Sequence, residues 1–224
     1  MDSNYVVLRI DGKNFSRYTR NFKKDAGNEY SDEIGSAMLA AARGLLDEID
    51  DAYAAYVVSD EISLLLHDRG ENSWYGGREQ KLISVSASIA TAYFNRKLNG
   101  RTPAFFDSRI VVLDDEPDTL RAYLTDRRAN GFSNAVSSYA RAEFGHKILL
   151  GVDTDKRYLM LKEAGVTVDK QLSFGTILYK EKYLADAQYT DKRTGEVNVI
   201  HDVERTRISE ILFEYSAALN KVLQ

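Results

Sequence analysis

The chain is expected to fold as an α+β protein: a split βαβ, ferredoxin-like domain followed by a mostly helical elaboration. Three observations predict this. Short β-branched and aromatic runs read as strands, two stretches carry apolar residues at helical spacing, and the two kinds alternate in a fixed order over residues 5–113. YVVLRI (5–10) reads as a buried strand, and Gly12 permits the turn behind it. Between Ser31 and Asp50 the residues Ile34, Met38, Ala41, Ala42, Leu45, Leu46 and Ile49 line one face of a helix. YAAYVV (53–58) and ISLLLH (62–67) flank Ser59-Asp60-Glu61 and read as a tight hairpin, although the Asn-Gly or Asp-Gly signal is missing. NSWYGG (72–77) reads as a loop. Leu82, Val85, Ile89, Ala92 and Tyr93 then carry a second amphipathic helix to about Leu98. FFDSRIVVL (105–113) is a fourth strand, closed by Asp114-Asp115-Glu116-Pro117.

The order is strand, helix, strand, strand, helix, strand, which builds an antiparallel sheet with two helices on one face. Right-handed crossovers set strands 1 and 3 side by side in its middle. After residue 117 helices are expected at about 118–128, 132–144 and 155–164, a strand at 174–180 (FGTILYK) and a final helix near 204–222. No repeat, low-complexity tract or Pro-rich linker interrupts the chain. Residues 1–116 and 117–224 are therefore expected as one domain and an elaboration packed on it, not as tethered modules.

Composition narrows the function. With 44% hydrophobic and 29% charged residues, the 224-residue chain can bury a real core and stay soluble. The absence of cysteine excludes disulfides, thiolate zinc sites and a cysteine nucleophile, and fits a cytoplasmic location. The N-terminus MDSNYVVLRID lacks the basic and apolar regions of a signal peptide. No apolar stretch approaches the roughly 20 residues a membrane span needs. A formal charge of −4 argues against an indiscriminate nucleic-acid coat, yet leaves room for a local basic patch. Three histidines without an HExxH pair make a histidine-built metal site unexpected.

The residues that suggest chemistry are acids. Asp11 closes strand 1, and Asp60-Glu61 lies in the hairpin leading into strand 3, so the topology brings them to one sheet edge. Neighbouring carboxylates favour a raised pKa or a bound cation. Oxygen donors of this kind suit Mg²⁺, held by one or two carboxylates together with substrate phosphates. Two such ions clamp the attacking and leaving oxygens of a phosphoryl or nucleotidyl transfer. The alternative is that Asp11 caps a turn and Asp60-Glu61 are ordinary hairpin-tip residues. Lys24, the pair Arg78 and Lys81 opening helix 2, and Arg109 in strand 4 supply cations. A helix start carrying cations runs against the dipole preference and fits a polyphosphate better. Taken singly, each is equally a solvated surface residue.

The stretches RIDGKNFSRYTR, YVVSDEISLLL, REQKLISVSASIATAYF and FDSRIVVL, in this order, resemble the tRNA-histidine guanylyltransferase family and its relatives, the 3′-to-5′ polymerases. The likeness covers about residues 5–113, with a weaker echo at GTILYKEKY. It implies a polymerase-palm catalytic domain at 1–116. In that family's pattern Asp11 and Asp60 bind two Mg²⁺ ions with the Gly12 carbonyl, and Glu61 is a supporting acid. The backbone amides of Lys13, Asn14, Phe15 and Ser16, together with Ser59, Lys24, Arg78, Lys81 and Arg109, fall at nucleotide-contacting positions. The implied reaction adds a nucleotide to a tRNA 5′ end. ATP first activates a 5′-monophosphate, and the 3′-hydroxyl of GTP or another NTP then attacks it. The family's tetramers imply a homo-oligomer, tetramer or dimer, for which the apolar residues Ile208, Ile211, Leu212, Tyr215 and Leu219 are interface candidates.

One stretch departs from the family. Where its members carry a His-Ile-Asn-Asn motif, this chain has Phe132, Ser133, Asn134 and Ala135. The departure points to a like protein of the family that repairs truncated tRNA 5′ ends, and not to strict addition to the histidine tRNA. Arg127, Arg128, Asn134 and Arg141 are candidate RNA contacts. Tyr18, Phe22 and Tyr75 are candidate base-stacking residues. His67, His146 and His201 form no pattern. A cyclase-like enzyme making a cyclic or dinucleotide product, and a non-catalytic NTP- or RNA-binding protein, remain open.

Overall fold

The computed structural model describes residues 5–19, 32–67, 70–99, 101–114 and 116–213. Six strands form one antiparallel sheet: β1 (Tyr5–Gly12), β2 (Ala52–Val58), β3 (Glu61–Leu66), β4 (Phe106–Leu113), β5 (Thr176–Thr190) and β6 (Val197–Leu212), in the order β4-β1-β3-β2-β5-β6. Between them run α1 (Phe15–Tyr18), α2 (Asp32–Glu48), α3 (Glu79–Lys97), α4 (Pro117–Phe144), α5 (Thr154–Glu163) and α6 (Lys170–Phe174). The fold class is α+β. The first four strands and α2 and α3 follow the βαββαβ order, with β1 and β3 adjacent as expected.

Alternation assigns the two faces of the sheet. Leu8, Ile10, Ile62, Leu64 and Leu66 point to one face, where they bury against Ile34, Met38, Leu45 and Leu46 of α2 and Leu82, Ala90 and Phe94 of α3. Val7, Ala54, Tyr56, Leu65 and Ile177 point to the other, where Leu120 and Leu124 of α4 cover them. A third cluster joins the later turns of α4 to α5 through Val136, Ala140 and Leu161.

The C-terminal half differs from expectation in three ways. Residues 118–144 form one helix, with Gly131 in its interior and Pro117 in its first turn. Gly131 is required by packing: a Cβ there would lie 2.1 Å from Val58 Cγ2. The strand expected at 174–180 starts after Gly175, at positive φ, and extends to Thr190. The helix expected near 204–222 is corrected for 204–212, which belong to β6; the remainder lies outside the described residues. Ile208, Ile211 and Leu212 sit at helical spacing, but pairing with Lys180, Ile177 and Thr176 of β5 overrides it. Ile208 and Ile211 consequently pack on the chain's own core, while Tyr215 and Leu219 lie outside the described residues. β2 pairs with β5 only through Thr176–Tyr179. From Lys180 onward β5 pairs with β6 alone, as a two-stranded arm. Among the described residues no helix is long and apolar enough to cross a membrane.

Candidate active site

The site starts where β1 ends. Gly12 N–H donates to the Asp60 carbonyl at 3.1 Å and Lys13 N–H to the Phe105 carbonyl at 2.8 Å, which ties three segments together. Asn14 turns the chain through the left-handed region at φ 53°, and its carbonyl accepts from the N–H groups of Arg17 and Tyr18. Phe15 then drops into an aromatic cluster with Tyr18, Phe94 and Phe106, its ring centroid 5.2–5.7 Å from theirs. A Cβ on Gly12 would fall 2.3 Å from the Phe15 ring, so the glycine is needed for this close approach. Of the four amides expected to meet a triphosphate, that of Lys13 is already bonded to backbone.

Asp11 stands opposite Glu61 on one side and Asp107 on the other. Alternation puts Arg9, Asp11, Glu61, Asp107 and Arg109 on the face that α4 covers, at the end of the sheet beyond its apolar core. Asp60 sits in the β2–β3 turn after Ser59, which takes φ 54° and donates its hydroxyl to Asp60 Oδ1 at 3.1 Å. Burial, and then repulsion from Asp11, push the Asp60 carboxyl from the ordinary 3.8 up to about 6. Asp11 is raised too, by burial and by Asp107, against the pull of Arg109 and Arg9. Glu61 is raised by burial although two guanidiniums hold it: Arg127 Nη1 donates to its Oε2 at 3.3 Å, and Arg9 Nε lies 4.0 Å from the same oxygen.

Asp60 opens into a cleft of about 560 Å³. Phe15, Ser16 and Thr19 form one wall; Asn134, Ser137, Ser138 and Arg141 of α4 form the other, with Leu172 of α6 beside them. The helical repeat splits the divergent stretch between two jobs. Phe132 packs edge-on against Tyr158 at 5.4 Å and Ser133 bonds Thr154 at 2.9 Å, both anchoring α5. Asn134 and Ala135 line the cleft.

Of the expected site residues, the structure gathers Asp11, Gly12, Asp60, Glu61, Ser59, Phe15, Ser16 and Arg109 at one end of the sheet. Arg78 and Lys81 are at the other. α3 starts beside Val6, Leu66 and Val112, whose neighbours Glu79 and Leu82 line a small pocket there. Asp11 lies five residues further along β1, roughly 17 Å at about 3.4 Å per residue. Lys24 and Phe22 lie outside the described residues. Two of the expected RNA contacts meet protein groups: Arg127 is only 18% exposed and bridges Glu61 and Asp126, and the Arg128 guanidinium lies over the Phe174 ring at 4.5 Å. Arg141 and Asn134 do face the cleft. Tyr18 is packed among aromatic rings, whereas Tyr75 is 40% exposed, with Lys81 Nζ 6.0 Å from its ring. His67 stacks on Tyr53, and His201 pairs with Asp186 on the arm. Sequence reasoning passed over Arg9, Ser137 and Ser138. Period-2 counting along β1 would have put Arg9 beside Asp11, and period-3.6 counting along α4 would have put Ser138 one turn beyond Asn134.

Among the described residues no three acidic or histidine side chains converge enough to hold a metal unaided. Two carboxylates with a shared proton affinity nevertheless suit a hard cation completed by phosphate oxygens. Comparison with known proteins fits this geometry. A family model described as "Thg1: tRNAHis guanylyltransferase" matches residues 1–114. The tRNA(His) guanylyltransferase of Debaryomyces hansenii is 27% identical, over 94% of this chain and 85% of its own. A probable tRNA(His) guanylyltransferase of Mus musculus is 28% identical, over 92% and 68%. Two solved structures of bacterial tRNA(His) guanylyltransferase-like protein share the fold. The complex with ATP has a TM-score of 0.70 and 27% identity over 80% of this chain and 81% of that one. The complex with GTP has 0.69 and 25% over 99% and 87%. The chain belongs to the tRNA(His) guanylyltransferase family of nucleotidyltransferases.

Proposed function

We propose that the protein is a Mg²⁺-dependent nucleotidyltransferase that extends the 5′ end of a tRNA in the 3′-to-5′ direction. The observation that carries this reading is the half-buried Asp60 carboxylate beside Asp11, opening into a cleft of about 560 Å³. Residues 1–116 act as the palm-type catalytic unit. Residues 117–224 supply the opposite wall of the cleft, and the protein works in the cytoplasm, as a homo-oligomer.

The chain's own groups position and neutralise; the chemistry asks for little covalent work. Asp11, Asp60 and the Gly12 carbonyl are the groups that would hold the metal pair. When bound, Mg²⁺ supplies charge neutralisation for the phosphates and for the oxygens that attack and leave. Ser59 keeps the Asp60 carboxylate oriented by its hydrogen bond to Oδ1. Arg109 lies on the sheet face next to Asp11 and offers a cation to a triphosphate. The amides of Asn14, Phe15 and Ser16, at the mouth of the same cleft, suit phosphate oxygens. Asn134 and Arg141 face them across the cleft and suit the RNA end. ATP transfers AMP to a 5′-monophosphate with loss of pyrophosphate. The 3′-hydroxyl oxygen of GTP or another NTP then bonds to that phosphorus and AMP leaves. Arg78 and Lys81, at the far end of the sheet, reach a nucleotide only outside this cleft.

The test supplies 5′-truncated tRNA transcripts, bearing monophosphate or triphosphate ends, with all four NTPs, and sequences the products. Added 5′ nucleotides are expected, and both Asp11→Ala and Asp60→Ala are expected to abolish them while the proteins stay folded. Activity retained in a folded double variant would sink the assignment, and a cyclic or dinucleotide product formed without RNA would replace it.

A further inference from the structure

Three residues of α4 at one helical stripe meet the sheet in succession. Tyr123 Oη shares a hydrogen bond of 2.9 Å with Ser63, Arg127 reaches Glu61 at 3.3 Å, and Gly131 lies against Val58. The spacing of four residues keeps them on one face of the helix. One turn further the same stripe leaves the sheet and becomes the wall of the cleft, with Asn134 and Ser138. The middle contact is the charged one, and Glu61 is bonded directly to Asp60 in the chain.

We propose that Arg127 is a positioning residue for nucleotidyl transfer: by clamping Glu61 it fixes the width of the cleft between Asp60 and the α4 wall. The proposal rests on the reading of Asp11 and Asp60 as the catalytic acids. Several facts converge on it. Arg127 and Glu61 are each only 18% exposed, so neither is a rim charge with its partner in water. Arg127 makes the one hydrogen bond to the Glu61 carboxylate among the described residues, through Oε2, and Arg9 Nε stands 4.0 Å from that same oxygen, so the orientation of the carboxylate rests on Arg127. Arg127 also bonds Asp126, which holds its guanidinium against its own helix. A buried ion pair of this kind contributes little net stability against an apolar replacement, and its best-attested use is to fix a register. Removing one partner of such a pair is destabilising, and Arg9, 4.0 Å from the same Oε2, limits that cost when Arg127 is replaced. The wall would then drift, and a misplacement of about 1 Å at a reacting centre costs on the order of a hundredfold in rate.

The experiment compares Arg127→Gln, Arg127→Lys, Glu61→Gln and the Arg127→Gln/Glu61→Gln double variant by kcat, KM for RNA, salt dependence of KM, and melting temperature. Asp60→Ala runs alongside. Arg127→Gln is expected to lower kcat by about 10–100-fold with KM for RNA and its salt dependence unchanged, and Arg127→Lys to recover part of the loss. In the Glu61→Gln background Arg127→Gln is expected to cost less than about threefold more, because the two act as one unit. Three results overturn the proposal: a raised KM with shallower salt dependence and intact kcat, which marks a direct RNA contact; additive losses in the double variant; or a lowered melting temperature with unchanged turnover per folded molecule. If the Gln variants do not fold, Arg127→Lys is read by the same split. Full activity in Asp60→Ala strikes the assignment of the acids themselves, whatever the arginine variants do.

Discussion

Replacing Asp60 with Asn separates what the carboxylate costs the fold from what it does. Burial and Asp11 raise its carboxyl from 3.8 to about 6. The folded protein therefore binds this proton more tightly than the unfolded chain does. Stability is lost as pH rises from about 4 through 6 and stays lost above that. Two pH units correspond to about 3 kcal/mol, an upper figure because Asp11 shares the repulsion. Asn keeps an Oδ1 for the Ser59 hydroxyl and removes the charge. In EDTA at pH 7.5 the Asp60→Asn protein is expected to be about 2–3 kcal/mol more stable than the wild type, melting roughly 5–10 °C higher. At pH 4.5 the advantage shrinks to about a third of that, since the wild-type carboxyl is then protonated in the folded state. Mg²⁺ reverses the comparison: millimolar Mg²⁺ is expected to raise the melting temperature of the wild type and leave the variant nearly unmoved. Thermal unfolding at the two pH values, with and without Mg²⁺, measures all of this. A variant no more stable than wild type at pH 7.5, or equally stabilised by Mg²⁺, refutes the account of Asp60 as a destabilised metal ligand.

Gly131→Ala brings a methyl group to 2.1 Å from Val58 Cγ2. Against a helix-propensity gain of about 1 kcal/mol, the overlap is expected to cost about 1–3 kcal/mol in urea unfolding. Val58→Ala should cost less in that background than alone, because the two side chains compete for one space. Arg141→Ala removes an exposed cation from the cleft wall. Melting temperature and kcat are expected to stay the same, KM for RNA to rise and the salt slope of binding to fall by about one, as for the loss of one phosphate contact.

The frame of β1–β4, α2 and α3 was legible because each element buries one face, and the alternation or helical spacing of its apolar residues has a single solution. The acid pair was legible for the same reason: once β1 and β3 are neighbours, Asp11 and the Asp60 turn must meet. What failed did so where packing, not local pattern, decides. Ile208, Ile211 and Leu212 fit a helix, and only a β5 of matching length makes them a strand. Cross-strand pairs such as Lys182–Glu204 and Arg207–Glu181 support that pairing without any apolar alternation to announce it. Arg78 and Lys81 were placed with the acids by their charge and by the family resemblance, and neither carries information on which end of the sheet they occupy. α3 returns from the distal end of β3 to β4, which places its first turn at the end of the sheet away from Asp11. Arg127 was read as a surface cation because its partner Glu61 lies 66 residues away across a helix–sheet contact.

That contact explains why one helix can serve both fold and site. The first turns of α4 put Leu120 and Leu124 over Val7 and Leu65, as any amphipathic helix covering a sheet would. Beyond Tyr123 the stripe facing the sheet changes to Arg127, Gly131, Asn134 and Ser138, in step with a sheet surface that changes from Leu65 to Ser63, Glu61 and the Asp60 turn. The helix therefore outruns the core it shares with the sheet. Its first part is held there by hydrophobic burial and fixes the direction; its later part packs on α5 through Val136 and Ala140 and presents Asn134 and Ser138 to the cleft. Cleft geometry in such an arrangement is set by whatever pins the helix at the boundary between the two parts, and the residue at that boundary is Arg127.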